Sequence, residues 1–354
     1  MKKLKIIAEA GVNHNGKIEN ALKLVRIAKE ANADVVKFQI FKSDLLAITN
    51  APLAKYQKNL EFDNQKKLLE NLELSFNDFK KIKKYCDKIN IDFLCTPFDI
   101  NSLIFLVKDL KINTIKVSSG DITNYQLIYE IGKYKKTIIL STGNSSISEI
   151  DLAINSYILG YRKKNIRNLK QLVKNNSIND LKKFSNKIIL FHCISSYPTK
   201  AEELNLESIN YLRLKYPCFQ IGLSDHTEEI FTPLVALGLG VNIVEKHFTI
   251  NKLMKGPDHK ASLNPKELKN MIKLIKKYEK SFGKFNKIAQ DNEKKNLNII
   301  RRSIYANRDI KKGEKFSSNN IILKRPYNKK SNPIKFWNLI SSTAKKNYKK
   351  NDII

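Results

Sequence analysis

The chain has 354 residues, enough for one large domain and a small additional module. Its 65 lysine and arginine residues against 34 aspartate and glutamate residues give a formal net charge of +31 at pH 7. The excess is mostly lysine, spread along the chain beside abundant Asn and Ile, so we expect no nucleic-acid partner, although a positive field favours phosphate-bearing substrates.

The four cysteines have neither CxxC spacing nor a dense pairing pattern, so the sequence predicts neither a zinc ribbon nor a disulfide framework. A predicted strand begins within a few residues of the first methionine, which leaves no room for a secretory leader. No apolar run approaches the length of a membrane span. We therefore expect a cytoplasmic protein without a membrane partner.

Eight short apolar runs alternate with amphipathic helical stretches, a pattern typical of a parallel βα array. The runs are residues 5–8, 35–38, 93–95, 114–117, 137–140, 188–191, 220–223 and 241–244. Polar or small residues follow every run. Eight parallel strands with polar carboxyl ends predict a closed (β/α)₈ TIM barrel over residues 1–285, rather than an open doubly wound sheet.

Two segments interrupt this alternation. Residues 47–75 are polar and follow the second strand, so they form either a lid or specificity element over the catalytic face, or a solvated helix pair. Residues 161–186 precede the sixth strand, on the opposite face of the barrel, where we expect no catalytic role.

The pattern changes after the barrel. Residues 286–297 read as a polar linker, and residues 298–354 as a small β-rich module with a turn at 312–314. So short a module has a slender core, and we expect it to lean on a partner surface.

Two histidines follow neighbouring predicted strands, His226 in Ser-Asp-His and His247 in Glu-Lys-His. The helical connector between them favours parallel pairing, which brings both imidazoles to one rim, close enough to share a divalent metal. The alternative is two structural histidines in unrelated loops.

Lys37 and Lys116 lie inside or next to apolar runs, where a lysine needs an anionic partner to be tolerated. Serines and threonines at the strand ends either cap the following helices or donate hydrogen bonds to a bound anion.

Several motifs occur in one order: AEAGVNHNG (8–16), VVKFQ (35–39), TPFD (96–99), KVSSGDITN (116–124), LSTGN (140–144), HCISSYPT (192–199), GLSDHT (222–227), VEKHFT (244–249) and GPDHKASLNP (256–265). Together they resemble the sialic acid synthase family, whose members condense phosphoenolpyruvate with an N-acetylated mannosamine-type sugar. The last module, with KRP at 324–326, resembles the antifreeze-like (SAF) domain that follows the barrel in this family.

The resemblance implies a phosphoenolpyruvate-dependent nonulosonic acid synthase that releases phosphate by C–O cleavage through a tetrahedral intermediate. It implies a phosphoenolpyruvate site of Lys37, Thr96, Lys116, Ser119, Ser141, Ser195 and Ser224; catalytic Glu9, Asp121 and Asp258; sugar contacts from Tyr197, Asp258 and Arg325; and Mn²⁺ or Mg²⁺ on His226 and His247. It also implies a homodimer in which each SAF module covers the other subunit's barrel.

The sequence departs from the family pattern at Asp121, where some members have Glu, at Ser195, where some have Asn, and at Tyr327, where a Gly is usual; the shorter Asp121 side chain leaves space and so leaves the identity of the sugar open. The product is therefore open between N-acetylneuraminate and a relative such as legionaminate. Another phosphoenolpyruvate-dependent aldol-type synthase, of pseudaminate or 3-deoxy-ulosonate type, is an alternative. Scarce arginine argues against a phosphorylated acceptor. A non-catalytic sugar-binding protein is the third possibility.

Three other histidines receive subsidiary roles. We expect His14 and His259 to be structural or to support the site from behind, and His192 to support the metal site through a hydrogen bond. Cys193 is expected to pack as a small buried side chain.

Overall fold

The computed structural model describes residues 3–54, 57, 61–166, 169–173, 176–284 and 286–354. The chain forms two compact units, Met1–Phe282 and Gly283–Ile354. None of the helices in these ranges is long and apolar enough to span a bilayer.

The first unit is built on eight parallel strands that form one sheet, a nearly closed barrel, in the order β3-β2-β1-β8-β7-β6-β5-β4. The strands are β1 (Lys5–Gly11), β2 (Val35–Ile40), β3 (Asp92–Pro97), β4 (Thr114–Val117), β5 (Thr137–Ser141), β6 (Ile188–Cys193), β7 (Gln220–Asp225) and β8 (Ile243–His247). The TIM-barrel prediction is confirmed.

Helices cover the outside of this sheet. They are α1 (Ile18–Glu30), α2 (Ser43–Leu46), α3 (Gln65–Leu72), α4 (Phe76–Lys88), α5 (Ile100–Lys108), α6 (Tyr125–Lys133), α7 (Ile147–Tyr161), α8 (Ile178–Lys182), α9 (Glu207–Lys215), α10 (Thr232–Gly238) and α11 (Pro265–Glu279). Except for α2 and α3, which pack at the barrel rim, their buried faces pack on the outward side chains of the strands and form the main core.

Most strands extend further than the apolar runs predicted. β1 continues through Glu9, which is in register with Lys37 of β2 and His247 of β8. The predicted boundary was wrong because polar side chains that point into the lumen find partners there, so strand pairing continues past the apolar run. Only β8 begins later than predicted, at Ile243.

An apolar layer closes the barrel below these polar residues. It consists of Ile7, Val35, Leu94, Ile139, Phe191 and Ile243. Gly222 makes room for the Phe191 ring, since a Cβ atom at position 222 would lie 2.4 Å from a ring carbon. This layer separates the polar residues above it from a second cavity of about 600 Å³ at the amino ends of the strands.

The two segments that interrupt the alternation contain short helices. In 47–75, α3 packs Leu68 and Leu72 against Val12 and Phe41 at the barrel rim; residues 55, 56 and 58–60 lie outside the described residues. In 161–186 the structure has a 3₁₀ turn at Leu169–Gln171 and α8, with residues 167, 168, 174 and 175 outside the described residues.

The second unit has a small core of its own. Its elements are α12 (Asp291–Lys295), α13 (Leu297–Ile300), β9 (Ser303–Ala306), β10 (Ile321–Lys324) and α14 (Phe336–Leu339). β9 and β10 pair antiparallel, and their apolar side chains pack with Ile310, Phe316 and Ala344. The segment predicted as a polar linker contains α12, and the predicted turn has Gly313 at φ +90°.

Candidate active site

Lys37 extends from β2 into a small inner pocket above the apolar layer. Its Nζ lies 2.9 Å from Glu9 Oε1, 3.6 Å from Glu245 Oε1 and 3.2 Å from Thr96 Oγ1. Burial lowers the pKa of Lys37, but the Glu245 and Glu9 carboxylates outweigh this effect and raise it. The ammonium is therefore charged although the side chain is buried.

Lys116 enters the same pocket from β4. Its Nζ donates to Ser141 Oγ at 2.7 Å and lies 3.5 Å from Glu245 Oε1. Burial lowers the pKa of Lys116, and Glu245 opposes that shift. Glu245 also accepts a 3.0 Å hydrogen bond from Ser224 Oγ. Two lysines and two carboxylates thus form one buried, charge-balanced network.

Glu245 is the shared partner of both lysines. Burial raises its pKa, but Lys116 and Lys37 outweigh burial and bring the pKa to about 2. For Glu9 burial is the larger effect, and it raises the pKa despite the opposing charge of Lys37. The two carboxylates therefore differ: Glu245 is held as an anion, while Glu9 is the better proton carrier.

Three atoms around this pocket have no hydrogen-bond partner among the described residues although they are buried. They are Glu9 Oε2, Glu245 Oε2 and His247 Nδ1. Buried polar atoms are rarely left unpaired, so a group that is bound in the pocket is the natural partner for them.

His226 and His247 meet as predicted, with ring centroids 5.4 Å apart. His226 Nδ1 lies 2.6 Å from the Ile194 carbonyl, which requires a donor, so its Nε2 carries the lone pair. Burial lowers the pKa of His226 to about 4, and burial together with His226 lowers that of His247 well below its usual range. Both imidazoles are therefore neutral.

Two neutral imidazoles, one with an unpartnered buried nitrogen, are a donor set that fits a divalent metal. No group of three or more His, Cys, Asp or Glu side chains in the described part of the chain is arranged to hold one. The protein would therefore contribute two ligands, and substrate or water would supply the others.

The inner pocket opens into an outer cavity of about 560 Å³. Gln39, Ser119, Tyr197 and His247 line both. The Tyr197 ring centroid lies 4.2 Å from that of His226 and 5.9 Å from that of His247. The histidine pair thus stands at the junction of the two spaces, where a reaction between their occupants would take place.

Asp258 and Asp121 both line the outer cavity. Asp258 Oδ2 is 3.8 Å from His247 Nδ1, and burial, followed by the charge of Glu9, raises its pKa to about 7. Asp121 ends a 3₁₀ turn after β4 and accepts a 2.9 Å hydrogen bond from Ser118 Oγ, while burial raises its pKa.

The hydroxyl oxygens of Ser119 and Ser195 lie 2.8 Å apart, within hydrogen-bond distance. The structure thus brings together, in the first unit, the predicted residues Glu9, Lys37, Thr96, Lys116, Ser119, Asp121, Ser141, Ser195, Tyr197, Ser224, His226, His247 and Asp258. Arg325 follows β10 in the second unit and is exposed.

Comparison with known proteins shows to which family the chain belongs. The NeuB family model matches residues 24–287, and the SAF domain model matches residues 301–354. The chain belongs to the NeuB family. The predicted resemblance and the SAF identity of the second unit are thereby confirmed.

Several relatives are similar over most or all of the chain. An N,N'-diacetyllegionaminic acid synthase of Campylobacter jejuni is 41% identical over 100% of this chain and 99% of its own length. Its counterpart in Legionella pneumophila is 38% identical over 91% of this chain and 85% of its own. The crystal structure of an N-acetylneuraminic acid synthetase of Leptospira borgpetersenii has a TM-score of 0.66 at 30% identity, covering 83% of this chain and 90% of that one.

Sequence reasoning gave Glu245 no role, although the structure places it between both lysines. The signal was available: Glu245 is two residues before His247 in one strand, so both side chains face the lumen. Gln39, which donates to Glu9 Oε1 at 3.1 Å, follows Lys37 by the same spacing and was also missed.

The subsidiary histidine predictions have mixed outcomes. His192 Nε2 lies 2.8 Å from the Leu204 carbonyl, so the hydrogen bond expected toward the metal site is made to a loop instead. His259 contacts Thr249 Oγ1 at 2.6 Å, and His14 Nδ1 accepts from the Gly16 amide at 3.1 Å, contacts that suit structural roles. Cys193 is buried as expected.

Proposed function

We propose that the protein is a phosphoenolpyruvate-dependent nonulosonic acid synthase. It condenses phosphoenolpyruvate with an acetamido-mannose-type sugar and gives legionaminate or a relative such as N-acetylneuraminate, plus phosphate. The observation that carries the proposal is the buried pair Lys37 and Lys116, each beside a hydroxyl, in a pocket that adjoins two neutral histidines and a sugar-sized cavity. The names of the relatives agree with this assignment.

Phosphoenolpyruvate occupies the inner pocket in this proposal. Its carboxylate and phosphate need cations and hydroxyl donors, which Lys37 of β2 with Thr96, and Lys116 of β4 with Ser141, provide. Ser224, Ser119 and Ser195 add further hydroxyls. The cavity there is only about 40 Å³, so side chains of its lining must move to admit phosphoenolpyruvate.

His226 and His247 would hold a divalent cation, Mn²⁺ or Mg²⁺, whose chemistry when bound is to polarise the sugar aldehyde as a Lewis acid. The electrons of the C2–C3 double bond of phosphoenolpyruvate form a bond from C3 to the aldehyde carbon, the aldehyde oxygen takes up a proton, and water adds at the electron-poor C2. The tetrahedral intermediate then breaks its C2–O bond and releases phosphate. Glu9, with its unpartnered Oε2, takes the proton of the attacking water.

Residues of the outer cavity orient the sugar. Asp258 and Asp121 accept hydrogen bonds from sugar hydroxyls or amides, and Tyr197 holds the His226 ring by stacking on it. We further propose that the protein acts as a cytoplasmic homodimer, in which Arg325 of each SAF domain completes the sugar site of the other subunit.

The test is phosphate release from phosphoenolpyruvate with Mn²⁺ and a panel of acetamido sugars. Release with an unphosphorylated acetamido-mannose sugar is expected. Release only with a phosphorylated aldose would indicate the related aldol-type synthases. Sugar binding without release of phosphate from any acceptor would indicate a non-catalytic protein and refute the proposal.

A further inference from the structure

The outer cavity has two chemically different sides. Its polar side is made by strand-end residues, among them Gln39, Ser119 and Asp121. The other side is an apolar wall formed by Val12, Phe41, Leu46, Leu68, Leu69, Leu72 and Phe98, and Gln57 and Gln65 also line the cavity. A hexose that carries a hydroxyl on every carbon would leave some of these hydroxyls without a partner against that wall, which is unfavourable.

The apolar wall is fixed in place. Phe41 and Phe98 pack edge to face with ring centroids 6.2 Å apart. Glu73, the residue after α3, binds the loop after β2: its Oε1 lies 2.7 Å from Lys42 Nζ, and its Oε2 accepts from the Ser43 amide at 2.8 Å. The carboxyl end of α3 is therefore tied to the loop after β2, which holds this part of the wall in place.

Charge gives a second constraint on the acceptor. No lysine or arginine is among the described residues that line the outer cavity. A phosphate or carboxylate on the distal part of the sugar would therefore lose its hydration without gaining a cation from this part of the chain. Apart from Arg325 of the partner subunit, which the proposed function adds to this site, the described lining offers no cation, and it favours an acceptor that is neutral and carries methyl groups.

We propose that the apolar wall makes the enzyme selective for a diacetamido-trideoxyhexose over N-acetylmannosamine. In this assignment the C6 methyl and the second acetamido methyl of the sugar lie against Leu69 and its neighbours, while the polar side binds the remaining hydroxyl and amide groups. The inference rests on the proposed function and deepens it, because it assigns the choice of sugar to named residues.

The experiment compares kcat/KM for the two sugars, measured as phosphate release by the full chain with saturating phosphoenolpyruvate and Mn²⁺. The wild-type protein is expected to favour the diacetamido-trideoxy sugar. Leu69→Asn should reduce that preference about tenfold, the lower range for one lost apolar group in a pocket. The KM for phosphoenolpyruvate should not change. Leu69→Ala, a milder variant, should shift the preference in the same direction.

Leu45→Asn is the matched control, since Leu45 lies on α2 beside the wall but is 55% exposed. It should leave the preference unchanged. The inference is overturned if the wild type favours N-acetylmannosamine, or if the Leu69 variants lower both kcat/KM values equally. Such results would leave the proposed function standing, whereas no phosphate release with any sugar would overturn both.

Discussion

A buried ion pair joins the two strands that carry the histidines. Lys246 Nζ lies 2.6 Å from Asp225 Oδ2, and neither side chain is exposed to solvent. The same ammonium donates to the Thr227 carbonyl at 2.6 Å and to Thr227 Oγ1 at 2.9 Å. Asp225 and Lys246 are register partners at the carboxyl ends of β7 and β8. We therefore predict that Lys246→Met destabilises the barrel.

The expected magnitude follows from what remains after the substitution. Removing one partner of a buried ion pair costs about 3–5 kcal/mol, because the other charge is left unpaired. Asp225 retains hydrogen bonds from the Thr227 amide at 2.9 Å and from Thr227 Oγ1 at 3.2 Å. Methionine also keeps most of the apolar stem. We therefore expect a loss near the lower end, about 3 kcal/mol.

Urea denaturation followed by far-ultraviolet circular dichroism measures this loss, with Lys23→Met as a control at an exposed lysine of α1. The double variant Lys246→Met/Asp225→Leu should recover much of the stability, because no buried charge is left unpaired. A Lys246→Met protein with the wild-type midpoint, or a double variant less stable than the single one, would refute the reasoning.

The remaining predictions concern catalysis, assembly and pH. Lys116→Met should raise the KM for phosphoenolpyruvate by the equivalent of about 1.5–3 kcal/mol, and an unchanged KM with normal turnover would contradict its assignment. His226→Ala and His247→Ala should each abolish turnover with an unchanged circular dichroism spectrum; full activity of either in metal-stripped buffer would remove the metal site. When His247→Ala and Arg325→Ala proteins are mixed, at most about half of the sites in a heterodimer should become active, because one barrel and one arginine remain intact. A tagged pull-down must confirm that subunits exchange, and inactive heterodimers would argue against a shared site. Hydrogen bonds from Arg308, from Asn320 and from the Lys311 amide hold the pKa of Glu314 at about 2. The ionised carboxylate of Glu314 therefore stabilises the fold above the unfolded pKa of about 4.3, and this stabilisation is lost as the pH falls toward 2. The fluorescence of the single tryptophan, which lies in the second unit, should report this loss of stability in acid, and Glu314→Gln should make the stability depend less on pH.

The barrel was predictable because each strand is a compact apolar run between helical stretches, a signal that tertiary context does not reverse. The ends of the strands were not predictable, because polar residues such as Glu9 and His247 are typical of loops in sequence. They belong to strands here because their side chains find partners inside the barrel. Glu245 and Asp225 are both close to a histidine in the sequence, but they have different partners. Side chains alternate between the two faces of a strand, and this alternation alone distinguishes Glu245, which lies beside the lumen lysines, from Asp225, which pairs with Lys246.

The apolar wall of the outer cavity was beyond sequence reasoning for a different reason. Leu68 and Leu72 have helical spacing, which predicts a buried face but not the surface that buries it. That surface includes Val12 and Phe41, which are distant in sequence and lie in loops after strands. Only the path of the chain between β2 and α3 brings them together, and no periodic pattern encodes that path.

The layers of the lumen explain why the charged residues occur as a balanced set. In six strands, the residue two positions after the apolar-layer residue faces the lumen one layer higher. These pairs are Ile7 and Glu9, Val35 and Lys37, Leu94 and Thr96, Ile139 and Ser141, Phe191 and Cys193, and Ile243 and Glu245. The polar layer therefore rests on an apolar one that excludes water from below, and an unpaired charge there would be costly. Two lysines are retained only because two carboxylates accompany them.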